Sequence, residues 1–299
     1  RASLETPARA HLRESGYRMP YTDTDDVSIY YEVEGDPAHP VIVLIAGGGA
    51  QLLTWRDPFR RMLVDEGFRV VRFDNRDVGF SQRFGGETDL DGGYSLGDMG
   101  DDVLRVLDHL GVEQAHLVGH SMGGMMAQMV ALDHPERVLS LGLLSTIPGQ
   151  DPRYILHGER PELLVEPVRY TREESVAAMA ELAAPVPGAR YQPDTAWEVW
   201  ATGEAYDRGY APEGFSRQWA ALLRAPERLE RLRDVTVPTL VLHGREDDVL
   251  HWSSAVDIAQ AMPAAELHVL PGMGHLIPAE LWPTLAAGIV RVAKTSSGR

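Results

Sequence analysis

No cysteine occurs among the 299 residues, and lysine occurs once, as Lys294. The missing cysteine excludes disulfides, thiolate metal sites and a cysteine nucleophile, and it leaves the redox compartment open. Basic charge is short as well: 28 lysines and arginines stand against 44 aspartates and glutamates, a net charge of −16. A surface that acidic argues against nucleic acid and anionic membranes as partners; its first role is a solvated shell that aids solubility. Long apolar runs are also missing. None approaches the ~20 residues of a membrane span, and residues 1–20 hold no apolar stretch of signal-peptide type. The expectation is a soluble, cytoplasmic protein. The sequence has no H-E-x-x-H, no EF-hand spacing and no glycine loop followed by Gly-Lys-Ser/Thr. Neither a metal nor a cofactor is expected.

What is present is a rhythm of strands and helices. Val27–Glu34 has partial alternation and predicts an early strand with one wet face; Gly35-Asp36-Pro37 then turns the chain. Val41–Ile45 is a continuous apolar run, as for a strand buried on both faces. Asp57-Pro58 predicts an N-cap and first-turn proline for a helix to about Glu66, followed by a strand over Arg69–Phe73. Ser95-Leu96-Gly97-Asp98 has the form of a capping box. Behind it Met99, Val103, Val106, Leu107 and Leu110 recur at helical spacing until Gly111. Further strands are expected at Ala115–Val118, Val138–Leu144, Val237–Leu242 and Leu267–Leu270, with a last helix near Pro283–Ala293. Such alternation predicts an α/β fold with a mostly parallel central sheet flanked by helices.

One stretch interrupts the rhythm. From about 147 to 233 the chain is rich in proline, charge and aromatics, with helices expected only at Glu173–Leu182 and Phe215–Leu223. The division expected is a core of residues 22–146 and 234–299, with 147–233 as a helical cap inserted before the late strands. Such a cap sits over the carboxyl edge of the sheet, where open α/β folds bind ligands.

The chemistry centres on Gly119-His120-Ser121-Met122-Gly123, which joins a strand to a helix. This order is that of a nucleophile elbow, a turn so tight that glycine is needed on both sides of the serine. Serine attacks only when a neighbouring base takes its proton, and an acid must orient that base. The order required is Ser, Asp or Glu, then His. Behind Ser121, the loop after Val237–Leu242 offers Glu246, Asp247 and Asp248, and the loop after Leu267–Leu270 offers His275. All fall after strand ends, at one edge of the sheet.

These pieces together resemble the α/β-hydrolase superfamily, in its lidded esterase-type branch with Gly-His-Ser-Met-Gly-Gly. Ala46-Gly47-Gly48 stands where the family has His-Gly-x, and Asp74-Asn75-Arg76-Asp77-Val78-Gly79-Phe80-Ser81 for its D-x-R-G-x-G-x-S. His243-Gly244-Arg245-Glu246-Asp247 and Gly272-Met273-Gly274-His275 complete the set. The glycine run and Arg76-Asp77-Val78-Gly79 also resemble methylesterases that act on polyketide glycosides. The resemblance implies Ser121 as nucleophile, His275 as base and Asp247 as its orienting acid, with the backbone N–H groups of Gly48 and Met122 as the oxyanion hole. Asp247 is preferred to Asp248 from its spacing after Gly244. Two positions depart from the family: Ala46 lacks the usual histidine's supporting hydrogen bonds, and Asp77 replaces a glycine.

Other candidates read as structural. His120 is expected to point away from the nucleophile; His243 and His251 flank the acid loop and are able to support it, with packing or solvent exposure preferred; Met122, Met125, Met126 and Met129 are expected to fill the core. The cap offers no clear cationic clamp; Arg153, Arg160, Arg169 and Arg172 are the side chains able to supply one. The expected activity is a serine carboxylesterase acting on a small to medium, mostly apolar ester through an acyl-enzyme. The alternatives are lactone opening, methyl-ester removal from a polyketide, C–C bond hydrolysis, or a ligand-binding protein that keeps the triad. A small-molecule ester is the only partner expected, and oligomeric state stays open.

Overall fold

The computed structural model describes residues 21–22, 27–156 and 167–296. Its centre is a sheet of seven strands: β1 (Tyr31–Glu34), β2 (Val41–Ile45), β3 (Arg69–Phe73), β4 (Ala115–His120), β5 (Val138–Leu144), β6 (Thr239–Gly244) and β7 (Ala265–Leu270). Their spatial order is β1-β3-β2-β4-β5-β6-β7. Only β1, paired with β3, is antiparallel; every later pairing is parallel. The parallel strands all end at one edge.

The continuous apolar runs are explained by two cores, one on each face. Val41, Val43 and Ile45 of β2 enter one core, while Ile42 and Leu44 enter the other. Helices α1 (Asp57–Asp65) and α8 (Trp282–Ser296) cover the second face through Phe59, Leu63, Leu285 and Ile289. The first is covered by α2 (Leu96–His109), α3 (Met122–Asp133) and α7 (Ser253–Ala261). The four methionines of the elbow helix, Met122, Met125, Met126 and Met129, are buried there.

Helix starts follow local chemistry. Ser95 and Asp98 form the expected capping box at α2. At α1 the cap falls one residue earlier than expected: Arg56 is the N-cap, and Asp57-Pro58 are already helical. Proline lacks only an N–H that the first turn leaves unpaired anyway, so it fits there.

Between β5 and β6 lies an inserted helical segment with α4 (Arg172–Leu182), α5 (Thr195–Gly209) and α6 (Pro212–Leu223). Sequence patterning anticipates α4 and α6 but not α5, whose apolar residues follow no single stripe. Two buried ion pairs fasten this segment to the sheet side. Arg208 Nη2 of α5 lies 2.6 Å from Asp74 Oδ2, and Arg217 Nε of α6 lies 2.8 Å from Asp77 Oδ1.

The second pair accounts for Asp77 in place of glycine. Its φ is +72°, a left-handed backbone that aspartate tolerates better than most residues. Its carboxylate also accepts from the Phe84 amide (2.9 Å) and the Tyr94 hydroxyl (2.7 Å). A glycine would suit the turn but leave Arg217, fully buried, without its counter-charge.

Candidate active site

Ser121 sits between β4 and α3 with φ +54° and ψ −120°, a strained backbone that turns its side chain off the strand end. The flanking glycines are required. A Cβ on Gly119 would lie 2.1 Å from the Gly123 carbonyl oxygen, and one on Gly123 would lie 2.3 Å from that of Ile45. The turn is pinned from below: the Ser121 amide donates to Leu144 O at 2.9 Å, and Thr146 Oγ1 donates to Ser121 O at 2.7 Å.

Asp247 and His275 arrive from two later strand ends. Asp247 Oδ2 lies 2.8 Å from His275 Nδ1, while Oδ1 accepts from the amides of Val249 (2.9 Å) and Leu250 (2.8 Å). Asp247 is buried, whereas its neighbour Asp248 is exposed and faces solvent. The two loops dock closely: Glu246 N–H donates to Met273 O at 3.0 Å, and a Cβ on Gly244 would sit 2.2 Å from Gly274 O. Burial pushes the Asp247 carboxyl up, but hydrogen bonds from His243, His275 and Leu250 outweigh it and hold the group below the usual carboxylate range.

Two histidines expected to be bystanders touch this pair. His243 Nε2 lies 3.0 Å from Asp247 Oδ2 and 3.1 Å from Leu250 O. A nitrogen between two acceptors must carry the proton, so His243 donates to the same carboxylate oxygen as His275. The sequence expectation of ordinary packing is therefore corrected: the parallel strand end drops His243 behind the acid. His120 Nε2 bonds His275 O at 2.8 Å, with the two rings 4.9 Å apart. Burial and then the nearby His275 push His120 down to about 4, so it is uncharged at neutral pH. It braces the backbone of the His275 loop. His251 pairs with Ser253 Oγ at 2.8 Å and takes no part.

Ser121 is not yet joined to His275: among the described residues neither Ser121 Oγ nor His275 Nε2 makes a hydrogen bond. Catalytic contacts commonly tighten only when substrate binds. The amides of Gly48 and Met122 are likewise without hydrogen-bond partners among the described residues. They belong to neighbouring segments: a Cβ on Gly48 would sit 3.7 Å from Met122 Sδ, and one on Gly47 would sit 3.3 Å from Ser121 Cβ.

Beside the glycine run, a cavity of about 230 Å³ lies between core and insertion, lined among others by Gly49, Gln51, Tyr206, Tyr210, Pro212 and Phe215. Among the described residues no acidic, basic or histidine side chain lines it. Tyr206 and Tyr210 are stacked, 4.5 Å between centroids and 19° between planes. The arginines considered as a clamp are occupied elsewhere: Arg153 pairs with Asp151, Arg169 with Glu213 and Arg172 with Asp207. Arg160 lies outside the described residues. Among the described residues no cluster of three or more histidine or acidic side chains is arranged to hold a metal, and no helix is long and apolar enough to cross a membrane.

A serine raised on a strand–turn–helix elbow, at the same sheet edge as a histidine–aspartate pair from later strand ends, is an arrangement suited to hydrolysis. The chain belongs to the alpha/beta hydrolase fold family, whose family model matches residues 40–280. It is similar to rhodomycin D methylesterase DnrP of Streptomyces peucetius, 30% identical over 287 residues, covering 89% of this chain and 94% of that one. It is also similar to the putative carbamate hydrolase RutD of Variovorax paradoxus, 29% identical over 257 residues, covering 83% and 89%. Among solved structures, a hydrolase from Pseudomonas aeruginosa PA01 superimposes with a TM-score of 0.73 at 26% identity, over 92% of this chain and 98% of that one.

Proposed function

We propose that the protein is a serine carboxylesterase that cleaves a small to medium, mostly apolar ester through an acyl-enzyme. The observation that carries this reading is the 2.8 Å contact between His275 Nδ1 and Asp247 Oδ2, which leaves Nε2 as the free edge of the base. In this reading His275 takes the Ser121 proton as Oγ attacks the ester carbonyl. Asp247 fixes the tautomer and stabilises the imidazolium. The N–H groups of Gly48 and Met122 receive the developing oxyanion, where one donor is worth about 10²–10³ in rate. His275 then hands its proton to the leaving alcohol, and water repeats the sequence on the acyl-enzyme.

Residues 147–233 act as a cap on a core of 22–146 and 234–299. Ser121 and His275 do not line the cavity beside Gly49, which adjoins the proposed site through the glycine turn; what it lends to the substrate class is the character of its walls. At about 230 Å³ it is smaller than the ~300 Å³ at which drug-sized pockets begin, and without charged lining it favours an uncharged group.

A second reading, removal of a methyl ester from a polyketide, is favoured by the likeness to rhodomycin D methylesterase and by the stacked tyrosines, which suit a flat ring. Initial rates on p-nitrophenyl esters from acetate to long acyl chains, with Ser121→Ala alongside, test the first. Turnover of short esters that disappears in Ser121→Ala is expected. A folded protein that turns over none of them, yet demethylates an aromatic polyketide ester, would replace it by the second reading. Tight ligand binding with no turnover at all would make it a binding protein.

A further inference from the structure

The turn that carries the Gly48 amide has no side chain of its own to hold it. Position 46 is an alanine, and positions 47 to 49 are glycines, the most freely rotating backbone available. The turn closes through the Ala50 amide on Gly47 O at 3.3 Å, with Gly49 at φ +69°. That bond fixes the Gly47–Gly48 peptide. The next peptide, between Gly48 and Gly49, is the central one of the turn, and glycine on both sides leaves it free to flip.

Its N–H is held from the cap. Gly49 N–H donates to Gln218 Oε1 at 2.7 Å, and Gln218 Nε2 donates to Arg76 O at 2.8 Å. One partner is a donor and the other an acceptor, so the orientation of the Gln218 amide follows from the network itself. Gln218 is fully buried. The same helix presses Phe215 onto the turn, close enough that a Cβ on Gly48 would lie 3.1 Å from Phe215 Cε2. Arg217, between them, is anchored to Asp77. On the other side, Asn75 Nδ2 donates to Ala46 O at 3.1 Å. The turn is thus gripped by α6 and by the 74–77 segment, and Gln218 joins the two.

We propose that Gln218 is a positioning residue that sets the oxyanion-binding turn, supplying from the cap the support that position 46 cannot. This rests on the serine-hydrolase reading. The cap then takes part in the chemical step as well as in shaping the pocket. Losing the hydrogen bond releases the Gly48–Gly49 peptide; as that peptide turns, the 3.3 Å Ala50–Gly47 bond that fixes the Gly47–Gly48 peptide opens, and the Gly48 N–H is displaced from the developing charge while ground-state contacts stay largely in place.

The test compares wild type, Gln218→Met, Gln218→Asn and Ser121→Ala on one p-nitrophenyl ester and by the rate of fluorophosphonate labelling, with folding checked by circular dichroism and melting. Methionine keeps the volume without either hydrogen bond; asparagine is too short to span both partners. Outright loss of an oxyanion donor costs about 10²–10³ in rate, so a displaced one is expected to lower kcat by ~10–100-fold. KM should stay within about threefold, and labelling should slow in parallel. Should Gln218→Met not fold, Gln218→Asn carries the same test. Wild-type kcat in a folded variant, or a rise in KM alone, overturns the proposal. A folded wild type that neither labels nor turns over ester overturns the hydrolase reading, and this proposal with it.

Discussion

The sheet and the inserted helices are held in place by different forces. Every residue of β2 is buried, and alternate side chains enter two separate apolar cores, so the strand is fixed by the quantity of surface removed from water. In the insertion, α4 buries none of its residues, and α5 buries only Gly203 and Arg208. Its attachment runs through α6 and through Arg208 and Arg217 on the buried carboxylates of Asp74 and Asp77. Apolar burial tolerates small shifts of position; a paired guanidinium and carboxylate do not, because both charges must stay matched where water cannot replace either partner. The lesson is that the insertion gains placement from polar contacts that add little net stability, and that placement brings Gln218 onto the Gly49 amide of the Gly47–Ala50 turn.

The largest test of this contrast is Arg217→Met. It leaves the Asp77 carboxylate buried without its cation, which typically costs about 3–5 kcal/mol. The expected outcome is a matching drop in urea stability, with faster proteolysis between residues 167 and 234. A loss below about 1 kcal/mol would mean that apolar packing, not the ion pair, seats α6.

A second test concerns the sheet alone. His116 on β4 is buried with Nδ1 on Ser140 Oγ at 2.8 Å, and burial pushes its pKa down to about 4. The folded state therefore refuses a proton that the unfolded chain accepts near 6.5. Stability should be unaffected by this group above that pH and fall as pH drops toward about 4, by roughly 3 kcal/mol in all at about 1.4 kcal/mol per unit. Chemical denaturation at several pH values should show a shallower slope in His116→Gln over that window. An unchanged slope would mean that the ring is not protected in the folded state.

The smallest test uses a feature that both regions share. Ser95 with Asp98 caps α2 in the core, and Thr171 with Glu174 caps α4 in the insertion, each as a complete capping box. Either hydroxyl replaced by alanine is expected to cost about 1 kcal/mol. For Ser95→Ala the loss should appear in global unfolding. For Thr171→Ala it should appear only as faster amide exchange within α4. Equal global effects would show that the two regions unfold as one unit.

The difference between the regions also decided what could be read beforehand. The continuous runs at β2, β4, β5 and β6, the capping box at Ser95 and the elbow glycines are local patterns, and each is matched in the fold. Helix α5 was not legible because Trp197, Trp200, Tyr206 and Tyr210 make no apolar stripe; they lie in ring contacts on several sides instead. His243 was marked only by its place beside the acid loop, which it shares with His251, and Gln218 had no signal. His243 meets Asp247 because a strand end and the loop behind it fold back on one another. Gln218 meets Gly49 across 169 positions of sequence, and nothing near either residue specifies the other.

By itself, then, the order of residues determined the strands, the helices of the core other than α7, the strained turn at Ser121 and the placing of acid and histidine after late strands. These follow from steric and solvent rules that act over a few residues. The spacing after Gly244 favoured Asp247, and the fold buries it against His275 while leaving Asp248 exposed; tertiary structure alone decided that two further histidines bond the pair and that a glutamine of the insertion bonds a loop of bare glycines. Those are meetings between distant segments, and they exist only because two apolar cores and two buried ion pairs bring the segments to the same edge of the sheet.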